Sequence, residues 1–232
     1  MRYQAIIFDL DGTLIDTRRD LTEAINHARK VLGLAPLAIE KVVKCVGDGM
    51  TLLLRRVMDG DHQLAEAARP HFMDHYGANL VTHTTLYPGV QEGLRRLADL
   101  GVRMAVLTNK PERFSRAILE HFKLAPLFVG IVGGDTHPTR KPDPQGALAL
   151  LKRMRPQPAQ TLMAGDNHTD LITAQRAGMD SVYCAYGFGH HAEAGYTHEA
   201  ACFMDIVDIV ADGSQPQQPP TLNSPHSSAA PR

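Results

Sequence analysis

The sequence lacks several features that would place it in a broad class of proteins. Its 24 Lys and Arg residues and 25 Asp and Glu residues give a formal net charge of −1. The composition therefore does not indicate the basic surface that nucleic-acid binding needs. No apolar run approaches the roughly 20 residues of a membrane helix, and the N-terminus shows no signal-peptide pattern. We therefore expect a cytoplasmic protein with no nucleic-acid partner and no membrane partner.

Cysteine is scarce, and histidine is scattered. Cys45, Cys184 and Cys202 are odd in number and lack the spacing of a metal site. We interpret them as reduced thiols, and a cysteine nucleophile has little support. Of the 12 histidines, His190 and His191 lie in a glycine-rich loop without an evident third ligand. A solvated surface is therefore the favoured interpretation of these histidines.

What the chain does contain is a pair of acidic residues directly after a short apolar run. Residues 5–8 (AIIF) predict a buried parallel strand, and Asp9 and Asp11 follow it, with Gly12 next. Ligands bind at the carboxyl ends of strands in an open α/β sheet. The two carboxylates are therefore candidates for a nucleophile and an acid/base beside a hard cation. The alternative is an ordinary turn, because Asp-Gly is a common turn pair.

Helical patterns fill the chain between this first strand and residue 82. A helix that begins at Thr17 or Asp20 is predicted to run to Leu32, and further helices are predicted over 37–46, 50–58 and 61–81. The last of these is expected to break or restart near Pro70, because proline has no backbone N–H to donate. No strand pattern interrupts the block. We predict that residues 16–82 form an inserted four-helix cap.

Strand and helix patterns alternate from residue 83 to residue 212. The sequence, with 44% apolar residues, is long enough for a large core. Alternating strands and helices predict an α/β fold, a doubly wound parallel sheet with a Rossmann-like core formed by 1–15 and 83–212. Residues 213–232 are rich in Pro, Gln and Ser and predict a disordered tail. The predicted strands are 104–107, 128–132, 161–164, 181–184 and 201–204, and the predicted helices are 90–100, 112–122, 144–154, 169–177 and 205–211.

Polar residues also follow two later predicted strands. Thr108 and Asn109 follow one, and Asp166 follows another. A parallel sheet brings these strand ends and the Asp9 pair to one edge, where carboxylates without a cation would repel each other. Mg²⁺ binds carboxylate, water and phosphate oxygens together, and Lys141 adds a positive charge. The pattern therefore indicates a phosphoryl-transfer site, because such catalysis consists mostly of positioning and charge stabilisation.

Four separated segments occur in an order typical of one family. They are residues 9–17 (DLDGTLIDT), 107–111 (LTNKP), 141–144 (KPDP) and 165–170 (GDNHTD). On these motifs the chain resembles the haloacid dehalogenase-like hydrolases, and within them the phosphoglycolate phosphatases, from residue 2 to about residue 212. Each motif is weak alone, whereas four in order are specific.

The resemblance implies the roles of the acidic residues. Asp9 would attack phosphorus and bind Mg²⁺. Asp11 would protonate the leaving alkoxide and then activate the hydrolytic water, and its backbone carbonyl would bind the metal. Asp166 would be a further metal ligand, directly or through water, and Asp170 would support the site from behind. Asn167 stands where the family often has Ser. This difference leaves open which residues support the metal ligands, but it does not affect the predicted metal itself.

The resemblance also implies which residues bind phosphate. Thr108 and the backbone at Asn109 would contact phosphate oxygens, and Lys141 would hold the nucleophile and the phosphate. Two structural alternatives remain open, since Thr108 can cap the following turn and most Lys side chains lie on the surface. Asp170, similarly, can be an ordinary acidic residue in the first turn of a helix.

The predicted cap offers a candidate for substrate choice. Gly47, Asp48 and Gly49 lie between two predicted helices and can place backbone amides near the mouth of the site. A plain turn between helices is the alternative. Arg55 or Arg56 on the next helix can bind a substrate carboxylate, although two exposed helix cations are equally ordinary.

The function implied by the resemblance is Mg²⁺-dependent hydrolysis of a phosphomonoester through an aspartyl-phosphate. The favoured substrate is 2-phosphoglycolate, which gives glycolate and phosphate, and the protein is expected to be a monomer or a homodimer. The enzymatic alternatives are a phosphatase of a phosphosugar or pyrophosphate, a phosphosugar mutase and, with less support, a dehalogenase. A binding module on a hydrolase scaffold is the non-enzyme alternative, and the intact Asp9, Asp11, Lys141 and Asp166 argue against it.

Overall fold

The computed structural model describes residues 1–212, which are arranged around a six-stranded sheet. All the strand pairs in this sheet are parallel, in the order β5-β4-β1-β6-β7-β8. The predicted doubly wound parallel sheet is confirmed, and the tail predicted over 213–232 lies outside the described residues. The strands are β1 (Ala5–Phe8), β2 (Ile15–Asp16), β3 (Thr85–Leu86), β4 (Arg103–Leu107), β5 (Phe128–Val132), β6 (Thr161–Gly165), β7 (Asp180–Cys184) and β8 (His198–Ala200), and the helices are α1 (Arg18–Val31), α2 (Ile39–Val43), α3 (Met50–Val57), α4 (His62–Ala78), α5 (Val90–Asp99), α6 (Glu112–His121), α7 (Gln145–Met154), α8 (His168–Ala177) and α9 (Phe203–Asp212).

Strand β1 lies in the middle of the sheet and is buried on both faces. Ile6 and Phe8 join a cluster formed by α5, α6 and α9, whereas Ala5 and Ile7 join a second cluster formed by α7 and α8. Successive side chains of a strand point to opposite faces. A strand covered by helices on both sides must therefore be apolar at every position, which explains the run AIIF.

Helices α1 to α4 pack around a hydrophobic cluster of their own. Ile25 of α1, Leu54 of α3 and Phe72 of α4 are almost fully buried in it. Phe114 of α6 also belongs to this cluster, so the helical block contacts the sheet domain beside the TNKP motif. The limits of the cap at residues 16 and 82 remain a prediction.

Two short antiparallel strands join the two crossings, which are the chain segments that connect the helical block (α1 to α4) to the sheet. The sequence analysis did not predict these strands. Strands β2 and β3 pair Ile15 with Leu86 and Asp16 with Thr85. Next to them, Asp20 of α1 accepts hydrogen bonds from the backbone N–H groups of His83 and Thr84. Asp20 therefore links the two crossings. Of the two predicted starts of the first helix, Thr17 is the residue that precedes α1.

Helix α4 passes through Pro70 without a break, so the predicted interruption near this residue is wrong. Buried Ala65, Ala68, Phe72 and Tyr76 lie on both sides of the proline and share one face. Pro70 itself is exposed, so the carbonyl that loses its helical partner can bind water. Packing of that face outweighs the cost of the proline, which is about 3 kcal/mol in a helix interior.

Other predicted elements also differ from the structure by more than one residue. The helix predicted over 37–46 is reduced to Ile39–Val43, because Asn26 exchanges two hydrogen bonds with the backbone of Leu37 and holds it outside the helix. The strand predicted over 201–204 lies instead at His198–Ala200. Residues 201 and 202 donate their backbone N–H groups to the carboxylate of Asp205, which starts α9 early.

Candidate active site

The ends of three adjacent strands bring the predicted residues together. Asp9 follows β1, Thr108 follows β4 and Asp166 follows β6, and these strands are neighbours in the order β4-β1-β6. The three residues are buried and line one pocket with Asp11 and Asn109. The sheet topology therefore supplies the convergence that the sequence predicted.

Lys141 lies between two of the carboxylates. Its Nζ atom is 2.8 Å from Asp9 Oδ1 and donates to Asp170 Oδ1 at 2.5 Å. Burial by itself would lower the pKa of Lys141, but the carboxylates of Asp170 and Asp9 outweigh it and raise the pKa above its usual value. The lysine is therefore a charged residue of the site, and its predicted surface alternative does not apply, because its side chain is 1% exposed.

Asp166 is held by a glycine-rich loop. Its Oδ2 accepts hydrogen bonds from the backbone N–H groups of Phe188 at 3.1 Å and Gly189 at 2.7 Å. Burial, with the nearby charges of Asp9 and Asp170, raises the pKa of Asp166 well above its usual value. At Gly12, a Cβ atom would lie 1.8 Å from Asp166 Oδ2, so only glycine fits between the two motifs.

The acidic cluster has the chemistry of a site for a hard divalent cation. Asp9, Asp166 and Asp170 each offer a carboxylate oxygen, and these atoms all lie within 4.8 Å of one another. Lys141 supplies a single positive charge to three buried carboxylates. Carboxylate oxygens are the ligands that ions such as Mg²⁺ prefer, so the residues fit such an ion. Asp11 is predicted to bind the metal through its backbone carbonyl, and its side-chain carboxylate turns towards Lys110.

Asp11 forms an ion pair that the sequence analysis missed. Lys110 Nζ lies 3.0 and 3.1 Å from the two oxygens of Asp11, and it also donates to the hydroxyl of Tyr76 at 2.6 Å. Thr17 donates a further hydrogen bond to Asp11 at 2.7 Å. Burial alone would lower the pKa of Lys110, but Asp11 and Tyr76 outweigh it and raise the pKa.

Thr108 and Asn109 link three loops. The hydroxyl of Thr108 accepts from the backbone N–H of Lys110 at 3.3 Å, which is the predicted turn contact, and Thr108 also lines the pocket. The Asn109 side-chain amide donates to the carbonyls of Gly47 and Lys141 at 2.9 and 3.0 Å. Asn109 therefore fastens the turn of the helical block and the lysine loop to the sheet edge.

The predicted cap turn reaches the site only in part. Gly47 and Gly49 line the pocket. The carboxylate of Asp48 turns to Arg56, at 2.5 Å, and lies 3.9 Å from His168. Neither Arg56 nor Arg55 lines the pocket.

Apart from Tyr76, whose hydroxyl pairs with Lys110, the side chains that the helical block adds to the pocket are apolar. They include Leu21, Val46, Met50, Leu53 and Phe72. An apolar wall excludes water and strengthens the electrostatic interactions inside the site. The floor of the pocket is therefore charged, and its roof is apolar.

A model of the haloacid dehalogenase-like hydrolase family matches residues 6–184, which include all four motifs. The chain belongs to the haloacid dehalogenase-like hydrolases. It is 42% identical over 192 residues to the phosphoglycolate phosphatase of Pseudomonas putida, across 80% of this chain and 70% of that protein. It is 35% identical over 219 residues to the phosphoglycolate phosphatase of Psychrobacter arcticus, across 90% and 95% of the two chains.

Solved structures support the same family. The hydrolase superposes on a predicted phosphoglycolate phosphatase from Haemophilus somnus with a TM-score of 0.86 and 31% identity, over 90% of this chain and 98% of the other. It also superposes on a predicted phosphatase from Clostridium acetobutylicum with a TM-score of 0.80 and 26% identity, over 90% and 99% of the two chains. The predicted family and the predicted enzyme class, a phosphoric monoester hydrolase, are confirmed.

Lys110 and Tyr76 are among the residues of the hydrolase site that the sequence analysis missed. Lys110 directly follows Thr108 and Asn109 at a strand end, so its position was a usable signal. Tyr76 lies within α4, and nothing in its sequence surroundings distinguishes it from other buried aromatic residues.

Within residues 1–212, no helix is both long and apolar enough to cross a membrane.

Proposed function

We propose that this hydrolase is a Mg²⁺-dependent phosphatase that works through an aspartyl-phosphate and acts on 2-phosphoglycolate. The observation that carries the proposal is the convergence of Asp9, Asp11, Lys141 and Asp166 at one sheet edge, over a buried cluster of carboxylates. These four charged side chains are all present, which favours catalysis over a binding role.

Asp9 is the proposed nucleophile. Lys141 holds Asp9 Oδ1 at 2.8 Å and thereby fixes the orientation of the carboxylate. In the first step a carboxylate oxygen of Asp9 bonds to phosphorus while the bond from phosphorus to the leaving oxygen breaks. Thr108 and the backbone at Asn109 bind the oxygens of the phosphoryl group as it moves.

Asp11 is the proposed acid and base. In its protonated form it gives a proton to the leaving oxygen in the first step, and as the carboxylate it takes a proton from water in the second. That water attacks phosphorus, orthophosphate leaves and the carboxylate of Asp9 is restored. Thr17 holds the Asp11 carboxylate in place through a hydrogen bond.

Asp9, Asp166 and the backbone carbonyl of Asp11 would hold Mg²⁺, and Asp170 would support the site by holding Lys141. When bound, the ion neutralises charge on the phosphoryl group and on the carboxylates. Asp170 fixes Lys141 through Oδ1, and its Oδ2 accepts from the backbone N–H of Asn167 at 3.0 Å. The lysine is thus held in one position between the nucleophile and helix α8.

The proposed substrate rests on two observations. The relatives from Pseudomonas putida and Psychrobacter arcticus carry the name phosphoglycolate phosphatase. The apolar roof formed by Leu21, Val46, Leu53 and Phe72 offers few partners to the hydroxyl groups of a phosphosugar, and unpaired polar groups in a closed pocket cost affinity. A small leaving group without hydroxyl groups suits this roof better.

The test is a phosphate-release screen over 2-phosphoglycolate, phosphosugars, pyrophosphate and phosphoserine, each with Mg²⁺ and with a chelator. We expect release that requires Mg²⁺, with the highest kcat/KM for 2-phosphoglycolate. A tenfold preference for another substrate would overturn the assigned substrate but leave the phosphatase in place. A requirement for a bisphosphate, with no net phosphate release, would indicate a mutase.

A further inference from the structure

Lys110 is a buried charge whose cost the proposed chemistry does not explain. Its side chain is 3% exposed, and it contacts Asp11 of the sheet domain and Tyr76 of helix α4. Taking an ammonium group out of water is unfavourable unless its partners compensate. Thr17 also holds Asp11, so Asp11 has a neutral hydrogen-bond donor besides the lysine.

Within residues 1–212, Lys110 is the only cationic side chain that lines the pocket. Lys141 pairs with Asp9 and Asp170, Arg56 pairs with Asp48, and neither of these two cations lines the pocket. The roof is apolar, so it can neutralise no negative charge on a leaving group. A leaving group with a carboxylate has Lys110 as its available partner.

We propose that Lys110 binds the carboxylate of the leaving group and so selects phosphorylated 2-hydroxy acids, of which 2-phosphoglycolate is the smallest. This inference rests on the proposed phosphatase function. In such substrates one carbon separates the carboxylate from the oxygen bonded to phosphorus. Asp11 must touch that oxygen in order to protonate it, so the cation in contact with Asp11 also reaches the carboxylate.

The geometry of Lys110 leaves a donor for this contact. An ammonium group has three N–H bonds. One is directed to the Tyr76 hydroxyl at 2.6 Å, and the two oxygens of Asp11, at 3.0 and 3.1 Å, can share another. The third N–H is then available for a substrate oxygen in the pocket that Lys110 lines.

Tyr76 is the positioning residue for Lys110. The ammonium lies 4.7 Å from the centre of the Tyr76 ring in addition to bonding its hydroxyl. Burial raises the pKa of Tyr76 to about 12, so the phenol stays neutral and does not compete with the substrate for the cation. Helix α4 therefore contributes to selectivity by fixing a lysine of the sheet domain.

The rival explanation is that Lys110 only orients Asp11. The two explanations differ for a pair of substrates that share the phosphate and the first carbon. Ethyl phosphate has a methyl group where 2-phosphoglycolate has its carboxylate. Loss of an Asp11-orienting residue slows both substrates by the same factor, whereas loss of a carboxylate partner slows the acid by a larger factor and so lowers the preference for it.

The experiment compares kcat/KM for 2-phosphoglycolate and ethyl phosphate in the wild type, Lys110→Met and the control Lys152→Met, an exposed lysine of α7. We expect the wild type to prefer the acid, Lys110→Met to lose at least tenfold of that preference, and Lys152→Met to keep it. An unchanged preference in Lys110→Met overturns the role of Lys110 while the phosphatase stands. A wild type without the preference overturns the assigned substrate, and this inference with it.

Inhibition gives a second measurement that does not need turnover of the acid. 3-Phosphonopropionate and propylphosphonate differ only in the carboxylate. In Lys110→Met, 3-phosphonopropionate should bind at least tenfold more weakly and propylphosphonate as in the wild type, and equal weakening of both contradicts the proposal.

Tyr76→Phe should lower the preference for 2-phosphoglycolate over ethyl phosphate less than Lys110→Met does. Adding Tyr76→Phe to Lys110→Met should change this preference no further, because the two residues act as one unit.

Discussion

At the scale of single residues, the proposed nucleophile makes the sharpest prediction. Asp9→Asn keeps the size of the side chain but removes its nucleophilic charge, so phosphate release should fall to background. The fold should persist, because the change also relieves repulsion with Asp166. Phosphate release and thermal unfolding check both statements, with exposed Asp99→Asn as the control. Substantial activity in Asp9→Asn would remove Asp9 from the mechanism.

The proposed acid predicts a dependence on the leaving group. Proton transfer by a positioned side chain contributes about 10²–10⁴-fold, so Asp11→Asn should slow hydrolysis of an alkyl phosphate by about that factor. An aryl phosphate leaves without much protonation and should lose less in the first step. The comparison uses kcat/KM, which reports the first irreversible step. Equal losses for the two substrates contradict leaving-group protonation by Asp11.

At the scale of elements, the parallel strands β1, β4, β5, β6 and β7 were predictable to within a residue, whereas the edge strand β8 and the two-residue strands were not. The apolar runs of β1 and β5 mark buried strands directly. Strands β2 and β3 have two residues each and carry no periodic signal. Pro70 misled the prediction, because local propensity cannot show that the face containing Phe72 packs on α1 and α3.

The same limit applies to the site. Asp9, Thr108 and Asp166 were predictable because each directly follows a strand. The bond between Lys110 and Tyr76 joins residues 34 positions apart, and it depends on how the helical block lies on the sheet. That arrangement follows from packing rather than from any local motif.

Asp20 carries a prediction about the crossings between the helical block and the sheet. Its carboxylate accepts from the backbone N–H groups of His83 and Thr84 and from the Thr84 hydroxyl. Asp20→Ala leaves these buried donors without a partner, which should lower the free energy of unfolding by about 1–3 kcal/mol. Urea unfolding measures the change, with exposed Asp74→Ala as the control. A loss no larger than that of the control would show that the crossings do not depend on Asp20.

At the scale of the whole molecule, the acidic cluster links metal binding to stability. An ion that binds only the folded state stabilises it by about 2.7 kcal/mol at one hundred times its dissociation constant. Mg²⁺ should therefore raise the melting temperature of the wild type. Asp166→Asn removes a buried carboxylate whose ionisation Asp9 and Asp170 oppose, so it should raise the metal-free melting temperature and abolish the Mg²⁺ effect. A Mg²⁺ effect of wild-type size in Asp166→Asn contradicts the proposed ligand set.

In the proposed mechanism the phosphoryl group is bonded to Asp9 before water receives it. The stereochemistry at phosphorus shows whether this intermediate forms, because each in-line displacement inverts the configuration. The measurement uses a substrate whose phosphorothioyl group is chiral by isotopic labelling, hydrolysed in isotopically labelled water. Two displacements, at Asp9 and then by water, predict net retention of configuration. Net inversion would mean that water attacks the substrate directly, which contradicts the account.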